Sequence, residues 1–434
     1  MFLLHLSDIH FRATEFGNAQ DPYLAIRENL VQDIVTQFEK HGEKPTSILI
    51  SGDIAFSGAS EEYQFAADWL DLLCDRLGVP HEAVFVIPGN HDVDQKVSET
   101  MAVQSLRQSV RGGMAGGPAK TMQKALSEET SRQTLYSPIE AYNDFAVRYS
   151  CRLTPPDNTI AKEYIELGLG WRLRILGLNS ALLSGRGDQR NDLLVDNASH
   201  QITSEAGSVT LMMCHHPFEW LRDGNALRVM MNSVAPLQIF GHEHTIEPEL
   251  GDAYVRLRSA AINPDIEEGE WEPGYNIIDL KVEETHGGWQ LGVKAYARVW
   301  QKTPPRFRAI VSAHDDPFFE HTIPLNNPPT VEMQRAATEQ LVAAADLPAS
   351  ATLEEVNELE HKPDNSLPNM RALTLRFFDL TYSQQAAVVA RLGLNDESDA
   401  NLTASVRFSN ALRRAKERGM QAELAKAISE QEKD

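Results

Sequence analysis

The 434-residue chain predicts an α/β fold with a small all-helical C-terminal domain, and three observations carry that prediction. Apolar stretches of strand length alternate with amphipathic helical stretches in the N-terminal part, an order-two periodicity dominates residues 254 to 312, and helical spacing returns from Met370 onward. At this length one hydrophobic core has usually stopped growing, so a large domain plus a smaller one is expected.

The elements follow in order. A strand at Phe2 to Leu6, a helix from Pro22 to Lys40, a strand at Ser47 to Ile50, a helix from Glu61 to Leu77 and a strand at Ala83 to Ile87 make a βαβαβ start. Such alternation implies parallel strands joined by right-handed crossovers, with helices on the sheet face. Beyond Asp92, helices at Val97 to Val110 and Ala119 to Ser127 flank the glycine-rich run Gly112 to Pro118, so residues 95–135 read as a helical insertion beside the core. A helix near Ile139 to Tyr149 leads into strands at Glu163 to Leu167, Leu173 to Leu178, Val209 to Met213 and Leu237 to Phe240. Tyr275 to Leu280, Trp289 to Ala297 and Phe307 to Ser312 alternate as strands do, and predict a second, largely antiparallel sheet. Asn326 to Pro329, Leu347 to Ser350 and Lys362 to Asn365 punctuate mostly acidic helical segments, which marks residues 326–365 as a linker. Met370 to Leu380, Ser383 to Leu392, Ser405 to Glu417 and Met420 to Ser429 have helical spacing. The expected division is therefore a main domain over 1–325, the linker, and a helical domain over 366–434.

A composition of 42% hydrophobic and 24% charged residues is that of an ordinary globular protein. The formal net charge of -22 argues against extended nucleic-acid binding and against anionic membrane, because phosphate contacts depend on Lys and Arg. Cys74, Cys151 and Cys214 are odd in number and widely spaced, so neither a disulfide framework nor a CxxC zinc site is expected. Met1 to Leu6 is too short for a signal-peptide core, and no stretch reaches the length of a membrane span. Cytoplasmic residence is the expectation.

Five polar clusters follow apolar strand-like runs directly: Asp8-Ile9-His10, Gly52-Asp53, Gly89-Asn90-His91-Asp92, His215-His216-Pro217 and Gly241-His242-Glu243-His244. In open α/β sheets, ligands bind beyond the carboxyl ends of the strands, so five such endings can converge on one spot. Asp8 and His10 lie two apart, and on an extended segment both side chains would face the same way. Asp53 offers a carboxylate able to bridge two ions, Asn90 an amide oxygen, and His215, His242 and His244 imidazole nitrogens. Such a mixed oxygen and nitrogen set suits Mn, Fe, Zn, Co or Ni better than Ca or a thiolate-selected metal, with Mn favoured. Two such ions clamp the attacking and leaving oxygens of an in-line displacement and generate hydroxide near neutral pH, which is what phosphoester hydrolysis needs. His91 reads as an acid or electrostatic stabiliser, and Asp92 as the group that orients it and raises its pKa.

These clusters, in this order, resemble the calcineurin-like metallophosphoesterase superfamily over roughly residues 1 to 320. The resemblance implies a four-layer α/β/β/α sandwich and a dinuclear metal centre. It assigns Asp8, His10, Asp53 and His244 to one metal and Asp53, Asn90, His215 and His242 to the other, with Asp53 as the bridge. It makes His91 the catalytic histidine and Asp92 its acidic companion. Ile54-Ala55-Phe56-Ser57-Gly58 lacks the arginine that protein phosphatases of the superfamily place there, so protein phosphatase activity is not expected. The chain looks more like bacterial phosphodiesterases acting on cyclic nucleotides, glycerophosphodiesters or nucleotides. A nuclease of the same superfamily is an alternative, set against the acidic charge.

Outside the clusters, His5 is expected to pack in the core and Glu243 to face solvent. His216 could touch substrate but reads equally as a supporting or turn residue and is left out of the site, whereas Asn179-Ser180 could add a supporting hydrogen bond or simply open a loop, and stays open. Between Glu99 and Glu128 there is no acidic residue, while Arg107, Arg111, Lys120 and Lys124 are present. That basic insertion reads either as a lid steering an anionic substrate, hinged at Gly112 to Gly117, or as a solvated hairpin. The helical stretch from Arg371 to Ile428 resembles small adaptor domains of bacterial conflict and signalling systems. It implies a protein partner or self-association through residues 366–434, and a stabilising appendage is the competing reading. The function expected overall is hydrolysis of a phosphodiester or nucleotide, and the competing class is a nucleotide-sensing scaffold.

Overall fold

The computed structural model describes residues 1–13, 21, 23–113, 116–244, 246, 248–263, 273–330, 370–380, 382–396 and 404–432. The chain divides into two compact units, Met1–Pro328 and Pro329–Asp434. The helical segments expected between 331 and 365 lie outside the described residues, as do Met114 and Ala115 at the centre of the glycine-rich run.

In the first unit, β1 (Phe2–Leu6), β2 (Ser47–Ile50) and β3 (Val84–Val86) are parallel neighbours. They are joined by α1 (Leu24–His41) and α2 (Ser60–Leu77), each closed by a left-handed glycine, Gly42 and Gly78. The free edge of β1 is taken by β10 (Gly274–Thr285), antiparallel, with Leu4 opposite Ile277. Strands β11 (Gly288–Gln301), β12 (Arg306–Ala309) and β13 (Phe319–Leu325) extend that side, giving seven strands. The alternating stretch 254–312 is thus not a separate antiparallel sheet. Its later strands complete the sheet that β1 begins, because β1 is buried along its length and needs a partner on both edges.

The other sheet has six strands: β4 (Ala161–Gly168), β5 (Trp171–Leu178), β6 (Ser208–Cys214), β7 (Leu237–Phe240), β9 (Tyr254–Arg258) and β8 (Glu249–Gly251), in that spatial order. Neighbours from β5 to β9 run parallel. Leu3, Leu49 and Phe85 of the first sheet share one core with Ile175, Leu211 and Ile239 of the second. The sheets meet closely at Gly177 of β5, where a side chain would stand 2.4 Å from Ile87. Phe38 of α1 packs edge-on to Phe2 with ring centroids 6.2 Å apart, and α8 (Gly224–Val234) buries Leu227 and Met231. The result is the α/β/β/α sandwich.

Five helices follow β3: α3 (Gln95–Ser98), α4 (Met101–Gly112), α5 (Pro118–Ser127), α6 (Glu129–Tyr136) and α7 (Glu140–Ala146). Val110, Met122, Ala125, Leu126 and Leu135 are buried in the main core. A solvated hairpin does not account for that burial; the insertion is a wall of the domain, and α6 is a helix the sequence pattern does not announce. Cys74, Cys151 and Cys214 are buried free thiols.

The second unit contains α9 (Met370–Asp379), α10 (Tyr382–Arg391), α11 (Ala404–Glu417) and α12 (Gln421–Gln431). They enclose a core of their own built on Leu373, Phe377, Val388, Phe408, Leu412, Leu424 and Ile428. Among the described residues no helix is long and apolar enough to cross a membrane.

Candidate metal centre

The chain keeps its parallel pairing past the ends of β1 and β2: Asp8 N donates to Gly52 O at 3.0 Å, His10 N to Asp53 O at 3.0 Å and Phe11 N to Ile54 O at 2.9 Å. The segment is not extended there. Asp8 (φ 53°), His10 (φ 52°), Asp53 (φ 53°), His242 (φ 70°) and His244 (φ 53°) all adopt left-handed backbone. Such conformations are uncommon for residues with a Cβ, and persist where the surroundings over-determine them. The shared direction of Asp8 and His10 therefore comes from two left-handed turns, not from strand alternation. Two glycines let the loops close in: a Cβ on Gly52 would stand 2.6 Å from the His215 ring, and one on Gly89 would stand 2.2 Å from Asp53 Oδ1.

The seven side chains proposed from sequence as ligands come together in two sets. His10 Nε2 lies 3.8 Å from Asp8 Oδ1 and 3.3 Å from Asp53 Oδ2, and His244 Nε2 lies 3.3 Å from Asp8 Oδ1. In the other set, His215 Nε2 lies 3.2 Å from Asp53 Oδ2 and 3.1 Å from Asn90 Oδ1, and His242 Nδ1 lies 3.0 Å from Asn90 Oδ1. Asp53 stands between the sets. His215 is fixed from behind by Ser51 O, 2.8 Å from its Nδ1.

Asp8 and Asp53 are fully buried, and burial alone would raise their pKa values. The histidines outweigh it, holding both carboxyls well below the usual range. Burial likewise opposes protonation of His10 and His215, but the same carboxylates raise them to about 10 and about 9. His242 is lowered to about 3 by burial and by His215. Asp8 Oδ1 and His10 Nε2 are buried without a hydrogen-bond partner. Asp8, His10 and His244, and again Asp8, Asp53 and His215, offer donor atoms within 4.8 Å of one another. Buried carboxylates crowded by imidazoles, with donor atoms left unmatched, fit divalent cations.

His91 borders both sets, with its ring 4.5 Å from that of His10. Its backbone N donates to Asp53 Oδ1 at 2.7 Å, and its Nδ1 lies 2.7 Å from Phe56 O. A nitrogen facing a carbonyl must carry the proton, which leaves Nε2 for chemistry. Asp92 does not orient it. The Asp92 carboxylate accepts from the backbone N–H groups of Ile54, Ala55 and Gly89 and from the Tyr63 hydroxyl. Burial and the nearby Asp53 charge raise it to about 6. Burial lowers the His91 pKa, only partly opposed by Asp53, so the expected upward shift from Asp92 is replaced by a downward one. Asp92 is a brace for the loops that carry Asp53, Phe56 and Asn90.

Residues 1–245 match the family model of calcineurin-like phosphoesterases. The chain belongs to that family. Residues 369–430 match a second model, that of a GTPase-associated adaptor domain. A curated relative, glycerophosphodiester phosphodiesterase GpdQ of Enterobacter lignolyticus (strain SCF1), is 37% identical over 93 residues, covering 21% of this chain and 30% of that protein. The chain thus spans less than a third of the length of that relative. Solved structures with a likeness include wild-type Vps29 of Entamoeba histolytica complexed with Zn (11% identity, TM-score 0.29, covering 75% of this chain and 100% of that one). The sulfate thiohydrolase SoxB of Thermus thermophilus is another (12% identity, TM-score 0.32, covering 79% and 60%).

In this phosphoesterase the centre opens into a cleft of about 270 Å³ bordered by Asn90, His91, Arg186, His216, Trp220 and His242. Sequence reasoning left His216 out. It is fully buried, its Nδ1 lies 2.8 Å from Ser180 Oγ, its ring is 4.5 Å from that of His242, and its Nε2 has no hydrogen-bond partner. Trp220, not anticipated at all, sets its ring edge-on to His242 with centroids 4.2 Å apart. The cue to Ser180 was the polar pair after β5; nothing near Trp220 in the sequence marks it. Glu243 is no solvent-facing spacer, since it pairs with Arg190 at 2.9 Å and Arg258 at 2.7 Å. His5 is a core residue, bonded to Ser51 Oγ at 2.9 Å and Asn276 at 3.2 Å.

Proposed function

We propose that this phosphoesterase hydrolyses a phosphodiester or nucleotide at a dinuclear metal centre. The observation that supports this most is the gathering of seven oxygen and nitrogen donors from five strand ends, with Asp53 shared between two sets. Asp8, His10, Asp53 and His244 would hold one ion, and Asp53, Asn90, His215 and His242 the other. When bound, two divalent ions neutralise charge on the phosphoryl oxygens and lower the pKa of water. The mixed oxygen and nitrogen donor set suits Mn, Fe, Zn, Co or Ni, with Mn favoured, better than Ca or a thiolate-selected metal.

His91 moves the proton. Neutral at neutral pH and pinned through Nδ1–H to Phe56 O, it presents an unprotonated Nε2 to the cleft, where it would accept a proton given up by the attacking water and return it to the departing oxygen. The phosphorus–oxygen bond to the alcohol breaks, and the new oxygen on phosphorus comes from water. Asp92 keeps the Asp53 and Asn90 loops in register, while Trp220 and His216 line the cleft and exclude water.

The purified chain, loaded with Mn, should cleave bis(p-nitrophenyl) phosphate, with p-nitrophenyl phosphate as the monoester control and metal content measured alongside. Asp53→Asn should lose both turnover and metal. His91→Ala should keep its metal and lose kcat by on the order of 100- to 10,000-fold. Bound metal with neither ester cleaved would overturn the hydrolase reading in favour of a nucleotide-sensing scaffold. The adaptor match over 369–430 supports a further role for residues 366–434, the docking of a partner protein or a second copy.

A further inference from the structure

Beside the centre runs a second cleft, about 470 Å³, that shares Ser98, Glu99, Gly185, Arg186 and Asp188 with the first. Its far wall is one stripe of α4: Gln104, Arg107, Gln108 and Arg111, at positions i, i+3, i+4 and i+7. The helix carries no acidic residue, in a chain whose net charge is -22. Two of the cations are already matched. Arg111 pairs with Asp188 at 2.6 Å and donates to Leu183 O, and Arg186 pairs with Glu99 at 3.1 Å.

Arg107 is different. It is only 5% exposed, its Nη1 donates to Ser98 Oγ, and its Nε and Nη2 have no hydrogen-bond partner. No carboxylate among the described residues pairs with it. Gly185 has no side chain to cover it; a Cβ there would lie 3.4 Å from Arg107 Nη1 and 3.6 Å from Ser98 Oγ. A buried guanidinium with two unmatched donors is costly unless an acceptor arrives, and its planar fork suits the oxygens of a phosphate. Burial lowers its pKa to about 10, so it remains charged at neutral pH.

We propose that this cleft is a second anion subsite, in which Arg107, with Ser98 and the glutamines of α4, binds a phosphate of the substrate other than the one cleaved. The substrate class is then a phosphoester carrying an additional phosphate. This rests on the hydrolase reading for its placement of the scissile phosphate, but the subsite is an anion site in its own right. Reading residues 95–135 as a steering lid changes accordingly: the basic residues that matter are a fixed wall that recognises the substrate.

Two measurements on the full chain test it. With Mn loaded, kcat/KM is compared for dithymidylate with and without a 5′-phosphate. The phosphorylated dinucleotide should be preferred by roughly tenfold to a hundredfold, the range for hydrogen bonds to a charged group. Arg107→Gln should abolish that ratio, with melting temperature and metal content as controls, and Arg107→Lys should keep part of it. Equal kcat/KM for the two dinucleotides in the unmodified chain would overturn the proposal whatever the variants do. The second measurement is inorganic phosphate binding to the metal-stripped chain. Saturable binding lost in Arg107→Gln supports the subsite even where no ester is cleaved, a result that would sink only the hydrolase reading. No phosphate binding by the unmodified metal-stripped chain overturns the subsite.

Discussion

At the scale of residues, two of the proposed donors, His10 and His215, must lose protons before they can hold a metal. In the metal-free chain, His10 and His215 have folded-state pKa values raised to about 10 and about 9. A raised histidine contributes stability that is complete below its ordinary value near 6.5 and is lost as pH rises through its folded value. The metal-free chain should therefore lose melting temperature progressively between about pH 6.5 and pH 10. Metal binding needs neutral imidazoles, so loading Mn at pH 7 should release protons and tighten as pH rises. Calorimetry in buffers of different ionisation enthalpy reads the release directly; a buffer-independent heat would refute it. A second residue-scale expectation concerns Gly89. With a Cβ 2.2 Å from Asp53 Oδ1, Gly89→Ala must displace the shared carboxylate, and metal affinity should fall by roughly 10- to 100-fold. Unaltered metal content in a folded Gly89→Ala protein would contradict it. At this scale the sequence offers candidate donors and is silent about their supports. Each donor follows an apolar run that ends a strand, which is visible locally. Most partners of Asp92 are not, because Ala55, Ile54 and Tyr63 lie 37, 38 and 29 residues upstream and come alongside only when β2 and β3 pair.

At the scale of elements, α2 links the sheet to the chemistry through its first turn. Glu62 accepts from Ser57 N at 2.8 Å, Ser57 Oγ at 3.0 Å and Ala59 N at 3.2 Å, capping the helix and fixing the loop that carries Phe56. Since Phe56 O holds His91, Glu62→Ala should lower kcat while metal content stays, and should cost about 1 kcal/mol of stability by loss of the cap. Restoration by Glu62→Gln would mark the effect as one of positioning; equal kcat in Glu62→Ala and the unmodified chain would remove the link. The strands and long helices were readable from periodicity. The burial of α4 to α6 was not, because a short amphipathic helix looks the same whether its apolar stripe meets the main core or a single neighbour. The joining of β10 to β1 was also hidden, since alternation shows that a strand has two faces and says nothing about which edge it takes.

At the scale of the whole molecule, two cores imply two separable units. Residues Met1–Pro328 hold every proposed metal donor, and the helices from Met370 onward bury their own Phe377, Phe408 and Ile428. A chain ending at residue 328 should fold, bind metal and cleave the diester with kcat/KM within about twofold of the full chain. A large loss of kcat in that shortened chain would show that the helical unit takes part in catalysis. Proline and asparagine punctuation near residue 327 is visible in the sequence, whereas any docking by the helical unit would depend on surface chemistry that no periodicity encodes.

The place of β1 in the sheet also bears on how the protein is made. It is synthesised before either of its sheet neighbours and carries Asp8 and His10 at its end, yet its second neighbour follows 271 residues later, where Asn276 meets His5. At ordinary synthesis speeds that is a wait of roughly 14 to 54 s. Throughout it, one edge of a strand that the finished fold buries along its length lacks its partner. Nascent chains stalled before residue 274 should then depend on a chaperone or a covering segment, while chains stalled after residue 300 should not.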